Sequence, residues 1–389
     1  MAINYTDRYV DPVDGNDANS GVIGAPWQTL QHAINNVDYD ACRLNLSNKA
    51  EFDLAGTALT IPVARAYTRP VLVRVWDNGG ETGLTETYLT GEDAPVFVIN
   101  GRVGAGTLPG NICNTGNLSH WHFRQGHFKR ASNFLFYNPP YTSWVDCFFS
   151  EGGAASYSCL NGGSETYIER CKFTNSASGA ISNARGTIKS CVVEDCGNYQ
   201  ISVLDWSNVT NCICKNPVAG RSSIYTGNKR GIAILNNTLI ETNGATGSYG
   251  INVSAGSYNA IVKNNLCVGF SGSGSTGIYL AGYLNEVGHN AFYITGSGVN
   301  YQTTPNHVDD HTSEDVVLTS NPFVDGSSVA PYKLDPESDA FGTLVGAQPY
   351  DDPMSYGANQ KVDDGGGGGG GGNQYDPNAP LAWNDGVPV

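Results

Sequence analysis

The stretch that decides the fold runs from Leu118 to Phe292, and its two clearest segments read IERCKF (168–173) and IKSCVV (188–193). In each segment an apolar residue is followed three positions on by Cys, and two positions later by another apolar residue. The pattern recurs, with Cys or Asn in the middle, at Trp144/Cys147/Phe149, Ile168/Cys171/Phe173, Ile188/Cys191/Val193, Val209/Cys212/Cys214, Ile234/Asn237/Leu239, Val262/Asn265/Cys267 and Val287/Asn290/Phe292, after a weaker first copy at Leu118/Trp121/Phe123. Subtracting the middle positions gives separations of 26, 24, 20, 21, 25, 28 and 25 residues. A loose period that carries a tightly kept local pattern is typical of a solenoid.

The local pattern also indicates which solenoid this is. Each copy is rich in β-branched or aromatic residues and is flanked by Gly, Asn and Ser, so it predicts a strand, a short turn and a second strand. A further strand precedes each copy, with apolar residues in step at Ile181, Ile201, Ile224, Ile251 and Ile278. Three short strands per repeat, each stacking in parallel on the next repeat, predict an all-β parallel β-helix of about ten coils.

The Cys/Asn column has a physical role in such a fold. Successive coils stack at roughly 4.8 Å, so like residues form a ladder in which Asn passes amide hydrogen bonds along and Cys packs as a small hydrophobe. Disulfides are the rival interpretation, but side chains that point the same way at that spacing are poorly placed for one. Zinc is disfavoured because Cys212 and Cys214 have no second matching pair. We therefore expect free thiols.

Composition limits the classes of partner. Gly accounts for 49 of the 389 residues, which suits a chain that turns three times per coil. A net charge of −15 disfavours a nucleic-acid groove, and it makes an anionic polysaccharide an awkward partner unless a cation intervenes. No apolar run approaches the length of a membrane span. The first residues show no secretory apolar segment, so we expect either a mature form with an added Met or a protein that leaves the cytosol by another route.

Residues 9–37 carry a family resemblance. They read YVDPVDGNDANSGVIGAPWQTLQHAINNV, which predicts a strand, a Gly/Asn/Asp loop and an amphipathic helix with Pro26 in its first turn and Trp27, Leu30, Ile34 and Val37 on one face. This order resembles the start of right-handed parallel β-helix proteins of the pectate-lyase-like superfamily, in which such a helix caps the first coil. Residues 321–325 (NPFVD) and 332–338 (YKLDPES) resemble its closing segment. The division expected is 1–40 for the first strand and capping helix, 41–356 for the β-helix with its closing segment, and 357–389 for a Gly-rich linker and tail.

The resemblance implies that a polysaccharide is bound or cleaved along the side of the coil. The catalytic sets of the polygalacturonase-like group do not stand here in order, and Asp309-Asp310-His311 reads as a solvated turn after the coils. A hydrolase needs two carboxylates on one wall. The candidates are Glu194, Asp195, Asp205 and Glu241, and solvated outer-face residues are the competing interpretation. A lyase would need a basic residue, and often Ca²⁺.

Three further groups of residues are candidates for binding. Tyrosines recur beside one strand and its turns and predict platforms for sugar rings, with Tyr199, Tyr225, Tyr249 and Tyr279 foremost and Tyr258 and Tyr283 nearby. Asp11, Asp14 and Asp17, with Asn16, either gather oxygens round a Ca²⁺ ion or cap turns of the backbone. Tyr375, Leu381 and Trp383 follow eight consecutive Gly, 365–372, and are either disordered or a tethered docking peptide.

These observations support two functional hypotheses and a third that needs no ligand. The first is a virion-associated or surface-displayed β-helix protein, resembling phage tailspike, fibre or decoration components, that binds a glycan or other protein subunits and forms a homo-oligomer; it would lie on the virion surface or outside the cell. The alternative is a polysaccharide lyase or glycoside hydrolase that acts along the side of the β-helix. A purely structural spacer remains as the third. The sequence therefore leaves enzymatic activity open.

Overall fold

Each sequence repeat forms one coil with three short strands, and like strands of successive coils pair in parallel. In this computed structural model the described residues are 5–37, 41–61, 70–87, 93–104, 107–114, 120–137, 141–152, 158–283, 285–303, 309–311 and 315–323, with the backbone of 383–384 and 387–388. The predicted all-β parallel solenoid is confirmed.

Three parallel sheets run the length of the solenoid, and we name them A, B and C in the order in which a coil visits them. Sheet A contains Thr6–Val10, Cys42–Ser47, Val71–Trp76, Trp121–Arg124, Ser143–Val145, Thr166–Glu169, Gly186–Lys189, Asn208–Thr210, Ala233–Leu235, Ile261–Lys263, Glu286–Gly288 and Asp309–His311. Sheet B contains Phe52–Asp53, Phe97–Asn100, Gly126–Lys129, Phe148–Ser150, Lys172–Thr174, Val192–Glu194, Ile213–Lys215, Thr238–Ile240, Leu266–Gly269, Ala291–Ile294 and Val316–Val317. Sheet C contains Leu59–Thr60, Cys113–Asn114, Phe136–Tyr137, Leu160–Asn161, Ile181–Ala184, Ile201–Val203, Ser222–Tyr225, Tyr249–Val253, Thr276–Leu280 and Val299–Thr303.

A few elements lie outside these sheets. An α-helix spans Leu30–Asn36, a 3₁₀ turn spans Gly80–Thr82, and two antiparallel pairs join Thr85–Thr87 to Asp93–Pro95 and Trp383–Asn384 to Val387–Pro388. Asp309–His311 is a strand paired with Glu286–Gly288, so the prediction of a solvated turn there was wrong. The closing segment after residue 323, and with it the boundary at 356, lies outside the described residues.

The interior is built from columns of like side chains, because every second residue of a short strand points inward. In sheet C the column runs Ile181, Ile201, Ile224, Ile251 and Ile278, all paired in register and fully buried. In the earlier coils aromatic rings stack instead: Phe123 lies 4.2 Å from Trp144 and Phe149 lies 4.6 Å from Phe173 between ring centroids. The predicted apolar series is therefore the core itself.

The corner from sheet A to sheet B takes two residues. The first has a left-handed backbone, with φ between 50° and 57° at Asp146, Arg170, Ser190, Asn211, Asn236, Asn264 and His289. The second is the predicted Cys/Asn column, and Cys147, Cys171, Cys191, Cys212, Asn237, Asn265 and Asn290 are all fully buried. This corner is what the recurring pattern in the sequence encodes.

Cys and Asn make the same contacts in that column. The amide of Asn265 donates to the carbonyl oxygens of Ile234 and Lys263, at 3.0 Å each. The thiol of Cys191 points at the equivalent carbonyls, those of Ile168 at 3.8 Å and Lys189 at 3.3 Å. The two residue types are interchangeable because both are small and both can donate to the previous coil.

Asn adds one interaction that Cys cannot make. The Asn265 Oδ1 atom accepts hydrogen bonds from the backbone N–H and the amide of Asn237, and the Asn290 Oδ1 atom does the same for Asn265, at 3.0–3.1 Å. This series of hydrogen bonds ends at Asp315, whose Oδ1 atom accepts the Asn290 backbone N–H at 2.6 Å. Such a continuous series holds the last coils in register.

All ten cysteines are buried free thiols, as predicted. Among the described residues no group of three or more His, Cys, Asp or Glu side chains could hold a metal ion.

The first copy of the pattern was placed in the wrong register. Phe123 pairs with Trp144, and Phe128 pairs with Phe149, so the first copy is Phe123/Gly126/Phe128 rather than Leu118/Trp121/Phe123. Gly126 takes the place of Cys or Asn because a Cβ atom there would lie 2.4 Å from the Phe97 ring. The aromatic filling of this coil thus hides the pattern, and Leu118 lies outside the described residues.

The N-terminal segment forms a strand, a loop and a helix, as predicted, but the helix starts later. It begins at Leu30 behind the N-cap Thr29, so Pro26 and Trp27 precede it, and Trp27 pairs with Val10 as an isolated bridge. Asp17 holds the loop: its Oδ1 accepts the backbone N–H groups of Gln28 and Thr29 at 2.9 Å, and its Oδ2 accepts the Thr29 hydroxyl at 2.7 Å. That the helix closes the open end of the coil stays a prediction.

Substitution of Cys191 tests the column. We expect Cys191→Leu to lower the free energy of unfolding by about 1–3 kcal/mol through overpacking. Cys191→Asn should cost less, because its amide can donate to the same two carbonyls and its Oδ1 can accept the Cys171 backbone N–H, as Asn237 does for Cys212 at 2.9 Å. Urea unfolding of the two variants side by side measures the difference. A larger loss for Asn than for Leu would contradict this account of the column.

Acid should weaken the N-terminal loop through Asp17. Burial alone would raise the pKa of Asp17, but the hydrogen bonds from Thr29 and Gln28 outweigh it and the pKa is lowered. A carboxylate whose pKa is depressed in the folded state adds stability above its unfolded pKa, near 3.9, and loses it as the pH falls through the folded pKa. We expect Asp17→Asn to lower the thermal midpoint at pH 7, with a difference from wild type that shrinks below about pH 4. Asp14→Asn is the control, because the exposed ion pair of Asp14 with Lys49 contributes about 0–1 kcal/mol. A loss of stability in Asp17→Asn that did not change with pH would contradict the role given to the ionised Asp17.

Candidate functional site

The outer face of sheet C carries the four tyrosines that the sequence singled out. Tyr225 and Tyr279 follow the inward Ile224 and Ile278, and both occupy the outward position next along the strand. Tyr249 begins its strand on the coil between them, and Tyr199 lies just before the strand Ile201–Val203. Four residues from four coils thus share one face of one sheet.

The tyrosines form two ring pairs. Tyr199 and Tyr225 stack with their centroids 4.1 Å apart and an interplanar angle of 9°. Tyr249 and Tyr279 lie 5.5 Å apart at 51°. Burial, followed by the neighbouring Tyr199, raises the pKa of Tyr225, so its hydroxyl stays a neutral donor and acceptor at physiological pH.

Arg221 adds a positive charge to the first pair. Its guanidinium carbon lies 5.2 Å from the centre of the Tyr199 ring, and its Nη1 donates to the Tyr199 hydroxyl at 3.4 Å. Arg221 is exposed, so its remaining N–H groups face solvent. Half-buried tyrosine rings beside the exposed guanidinium of Arg221 make a surface suited to flat, hydroxylated ligands.

A second aromatic row lies at the corner between sheets C and A. Trp206, Tyr258 and Tyr283 have exposed fractions of 57%, 47% and 40%, and the two tyrosine rings stack at 5.4 Å. The Arg230 guanidinium lies 5.9 Å from the Trp206 ring. Gly231 on the next coil leaves room for that ring, since a Cβ there would lie 2.2 Å from it. Trp206 is not among the residues predicted from the sequence, although a Trp in a polar turn between two strands was the available signal.

The four predicted carboxylates lie at two different corners of the coil. Glu194 ends a strand of sheet B, and Asp195 follows it at the corner toward sheet C with a left-handed φ of 51°. Glu241 lies two coils on at the same corner, but it is buried and its Oε1 accepts the backbone N–H groups of Asn243 and Ala245 at 2.6 and 3.1 Å. Asp205 lies at the other corner, before sheet A, and accepts the Arg230 backbone N–H at 2.9 Å. Glu241 and Asp205 therefore organise backbone turns.

The predicted metal candidates are also committed to the backbone. Asp11 is buried and accepts hydrogen bonds from Val13, Asp14 and Asn78 and an ion pair from Lys49 at 3.2 Å. Lys49 also contacts Asp14 at 2.6 Å, while Asp17 caps the segment before the helix. The Lys49 ammonium lies between Asp11 and Asp14, and the hydrogen bonds of Asp11 and Asp17 are those of turn caps. Calcium binding here stays a prediction.

A charged cluster on the outer face of sheet A went unnoticed in the sequence. Arg170 binds Asp146 with two hydrogen bonds, at 2.7 and 3.1 Å, and contacts Glu169 at 2.9 Å. The Tyr167 hydroxyl donates to Glu169 at 2.8 Å, and burial with the nearby Glu169 charge raises the pKa of Tyr167. Because its charges are paired internally, this cluster stabilises the sheet rather than offering reactive groups.

The C-terminal candidates fall mostly outside the described residues. Tyr375, Leu381 and the eight consecutive Gly belong to that part of the chain, and only the backbone of Trp383 is described, in a short pair with Pro388. Docking by this tail stays a prediction. Among the described helices, none combines the length and apolar character needed to cross a membrane.

Comparison with known proteins gives weak similarities. No family model matches the chain, and no curated protein matches it. Among solved structures, the chain is similar to the pectate lyase Pel9A at 12% identity, over 92% of this chain and 98% of that one, with a TM-score of 0.46. It is similar to a rhamnogalacturonan lyase at 12% identity, over 81% and 87%, with a TM-score of 0.47, and to the ORF18 protein of Geobacillus virus E2 at 11%, over 76% and 61%, with 0.34.

At these identities and TM-scores the chemistry of the chain has to be argued from its own residues. Three parallel sheets, stacked Cys and Asn at one corner and inward apolar columns define its architecture. The chain is a parallel β-solenoid.

Proposed function

We propose that this protein is a surface-displayed, virion-associated β-helix protein, similar in role to a tailspike, fibre or decoration component, and that it binds a glycan along the outer face of sheet C. The observation that carries the proposal is that two tyrosine pairs lie on that face beside the exposed Arg221. They are Tyr199 with Tyr225 and Tyr249 with Tyr279.

The geometry suits an extended ligand. Tyr225, Tyr249 and Tyr279 lie on successive coils, so their backbones are spaced about 4.8 Å apart along the solenoid axis. A polymer that runs parallel to the axis would meet an aromatic ring on each coil, and sugar rings present apolar C–H faces that pack on aromatic rings. The rigid stack fixes these rings before binding, which lowers the entropy cost of association.

The charge of the protein limits the class of glycan that it would bind. The chain carries a net charge of −15, so long-range electrostatics oppose a polyanion. Arg221 provides one local positive charge on the face. A neutral glycan, or one with an isolated acidic group, therefore fits better than a polyuronate. The alternative of a polysaccharide lyase or glycoside hydrolase draws no support from the positions of Glu194, Asp195, Asp205 and Glu241.

The tyrosine face is tested by a double variant. We expect Tyr199→Ala/Tyr225→Ala to weaken glycan binding by about 5- to 100-fold, because each of the two aromatic contacts contributes about 0.5–1.5 kcal/mol and 1.4 kcal/mol is tenfold. Retention in affinity gels that contain neutral polysaccharides, followed by calorimetry on the one retained best, measures the loss.

Tyr141→Ala is the matched control, since Tyr141 is 47% exposed but lies before sheet A, away from this face. Unchanged affinity of the double variant would overturn the placement on sheet C. A larger loss of affinity in Trp206→Ala would instead place the glycan site at the row of Trp206, Tyr258 and Tyr283. If no glycan retained the wild-type protein, the hypothesis of a purely structural spacer would be favoured.

The tail is tested by truncation. If residues 365–389 dock on a neighbouring subunit, deleting them should abolish self-association in light scattering without lowering the thermal midpoint, since the main buried cluster lies between Val10 and Phe292. Replacing the eight Gly by a Gly/Ser segment of equal length is the control and should keep association, because a leash acts through length and flexibility. Assembly that survives the deletion would remove the attachment role of the tail.

A further inference from the structure

The outer face of sheet B brings together a carboxylate, an imidazole and a hydroxyl. His127 lies on the strand Gly126–Lys129, and Ser150 ends the strand Phe148–Ser150 of the next coil. Both point outward, because the alternate residues Phe128 and Phe149 are buried in the core. Glu86 reaches the same place from the hairpin Thr85–Thr87 and Asp93–Pro95, which lies outside the coil.

The three side chains form a continuous hydrogen-bonded line. The His127 Nδ1 atom lies 2.5 Å from Glu86 Oε1, and its Nε2 atom lies 2.7 Å from Ser150 Oγ. The order is carboxylate, imidazole, hydroxyl, with each ring nitrogen of His127 committed to one partner. This is the relation between nucleophile, base and orienting group that defines an activated serine.

The protonation states follow from the contacts. The hydrogen bond from His127 outweighs burial and lowers the pKa of Glu86, so this side chain is an ionised acceptor. Nδ1 must then carry the hydrogen of the neutral ring, which leaves Nε2 with a lone pair. Ser150 therefore donates its hydroxyl hydrogen to Nε2, which is the arrangement a general base needs before it takes that proton.

The surroundings suggest the substrate class. Val98 and Phe148 flank His127 on the two neighbouring coils, and with Val96 and Leu84 they form a small apolar cluster under the hairpin. Lys172 follows Phe148 in the same column, and its charge also lowers the pKa of Glu86. An apolar wall with positive charge nearby fits a short acyl group whose carbonyl oxygen becomes negative during attack.

We propose that Ser150 is the nucleophile of a carboxylic-ester hydrolase site, with His127 as its general base and Glu86 as the residue that positions His127. The site takes esters with a short apolar acyl group. It shares no residue with the tyrosine face of sheet C and does not depend on glycan binding.

The reaction balances with water as the only co-reactant. Ser150 Oγ bonds to the ester carbonyl carbon while its proton moves to His127 Nε2; the carbon–oxygen bond to the alcohol then breaks, and the departing oxygen takes that proton. Water next gives a proton to Nε2 and attacks the acyl group on Ser150. The carboxylic acid leaves, and Ser150 Oγ recovers the proton.

A second His–Ser contact in this chain provides a matched control. His122 Nδ1 lies 2.7 Å from Ser143 Oγ on sheet A, but both residues are buried, with exposed fractions of 3% and 1%. Burial, with help from His120 and Arg124, lowers the pKa of His122 to about 3. By contrast, the side chains of His127 and Glu86 are 13% and 32% exposed. Ser143 should therefore be inert where Ser150 is reactive.

The test uses the full chain with a fluorophosphonate probe and with p-nitrophenyl acetate and butyrate. We expect peptide mass spectrometry to locate the phosphonyl group on Ser150, and we expect Ser150→Ala to lower hydrolysis at least about 100-fold. Ser143→Ala should hydrolyse and label like wild type. No labelling of the native wild-type protein above that of the unfolded protein, or labelling that persists in Ser150→Ala, would overturn the proposal.

The role of Glu86 has its own readout. Because it acts through His127, Glu86→Gln should lower kcat about tenfold or more while KM for p-nitrophenyl butyrate stays unchanged, and Glu86→Asp should restore part of kcat. A rise in KM with unchanged kcat would assign Glu86 to the hairpin's packing instead. Tyr199→Ala/Tyr225→Ala should keep full esterase activity, which separates this proposal from that of glycan binding.

Discussion

The two-residue corner between sheets A and B is the constraint on which the rest of the molecule depends. A left-handed backbone is unfavourable for residues other than Gly, by about 1–2 kcal/mol each, and this corner requires one in every regular coil. The residue that follows offsets that cost: its small side chain fits the crowded interior and donates to carbonyls of the previous coil. Because both strands start or end at this corner, its column sets the register of two sheets together.

The fixed register turns single residues into rows. Once Ile224 and Ile278 are locked inward, Tyr225 and Tyr279 must point outward on the same face. The same rule places His127 and Ser150 on neighbouring coils, because Phe128 and Phe149 stack behind them at 5.4 Å between ring centroids. The interior column therefore determines which outward side chains become neighbours. It does not determine which residue types occupy those outward positions, because they do not pack in the core. For that reason the ladder specifies the architecture and carries little chemistry.

This division explains how far the sequence was informative. The Cys/Asn ladder and the outward tyrosines repeat with the coil, so local patterns predicted both. The carboxylates did not repeat, and no local signal showed that Glu241 turns inward to cap its own loop while Asp205 lies at a different corner. Glu86 reaches His127 from a hairpin outside the coil, which is a contact that periodicity cannot predict. The error at Trp121 has a related cause, since Gly126 replaced the expected Cys or Asn to make room for Phe97.

The two His–Ser contacts show that distance alone does not make a reactive serine. Each pairs an imidazole nitrogen with a hydroxyl at 2.7 Å on adjacent coils; His122 and Ser143 are direct register partners in sheet A, and His127 and Ser150 are diagonal neighbours in sheet B. They differ in what the scaffold leaves around them. His122 is buried near Arg124, and both conditions oppose the imidazolium ion that proton transfer from a serine would create. The other nitrogen of His127 contacts the Glu86 carboxylate, which fixes the tautomer with the hydrogen on Nδ1. A solenoid forms such pairs wherever two polar residues occupy neighbouring positions on successive coils. In the His127–Ser150 pair, a third group from outside the coil, Glu86, orients the imidazole for reaction.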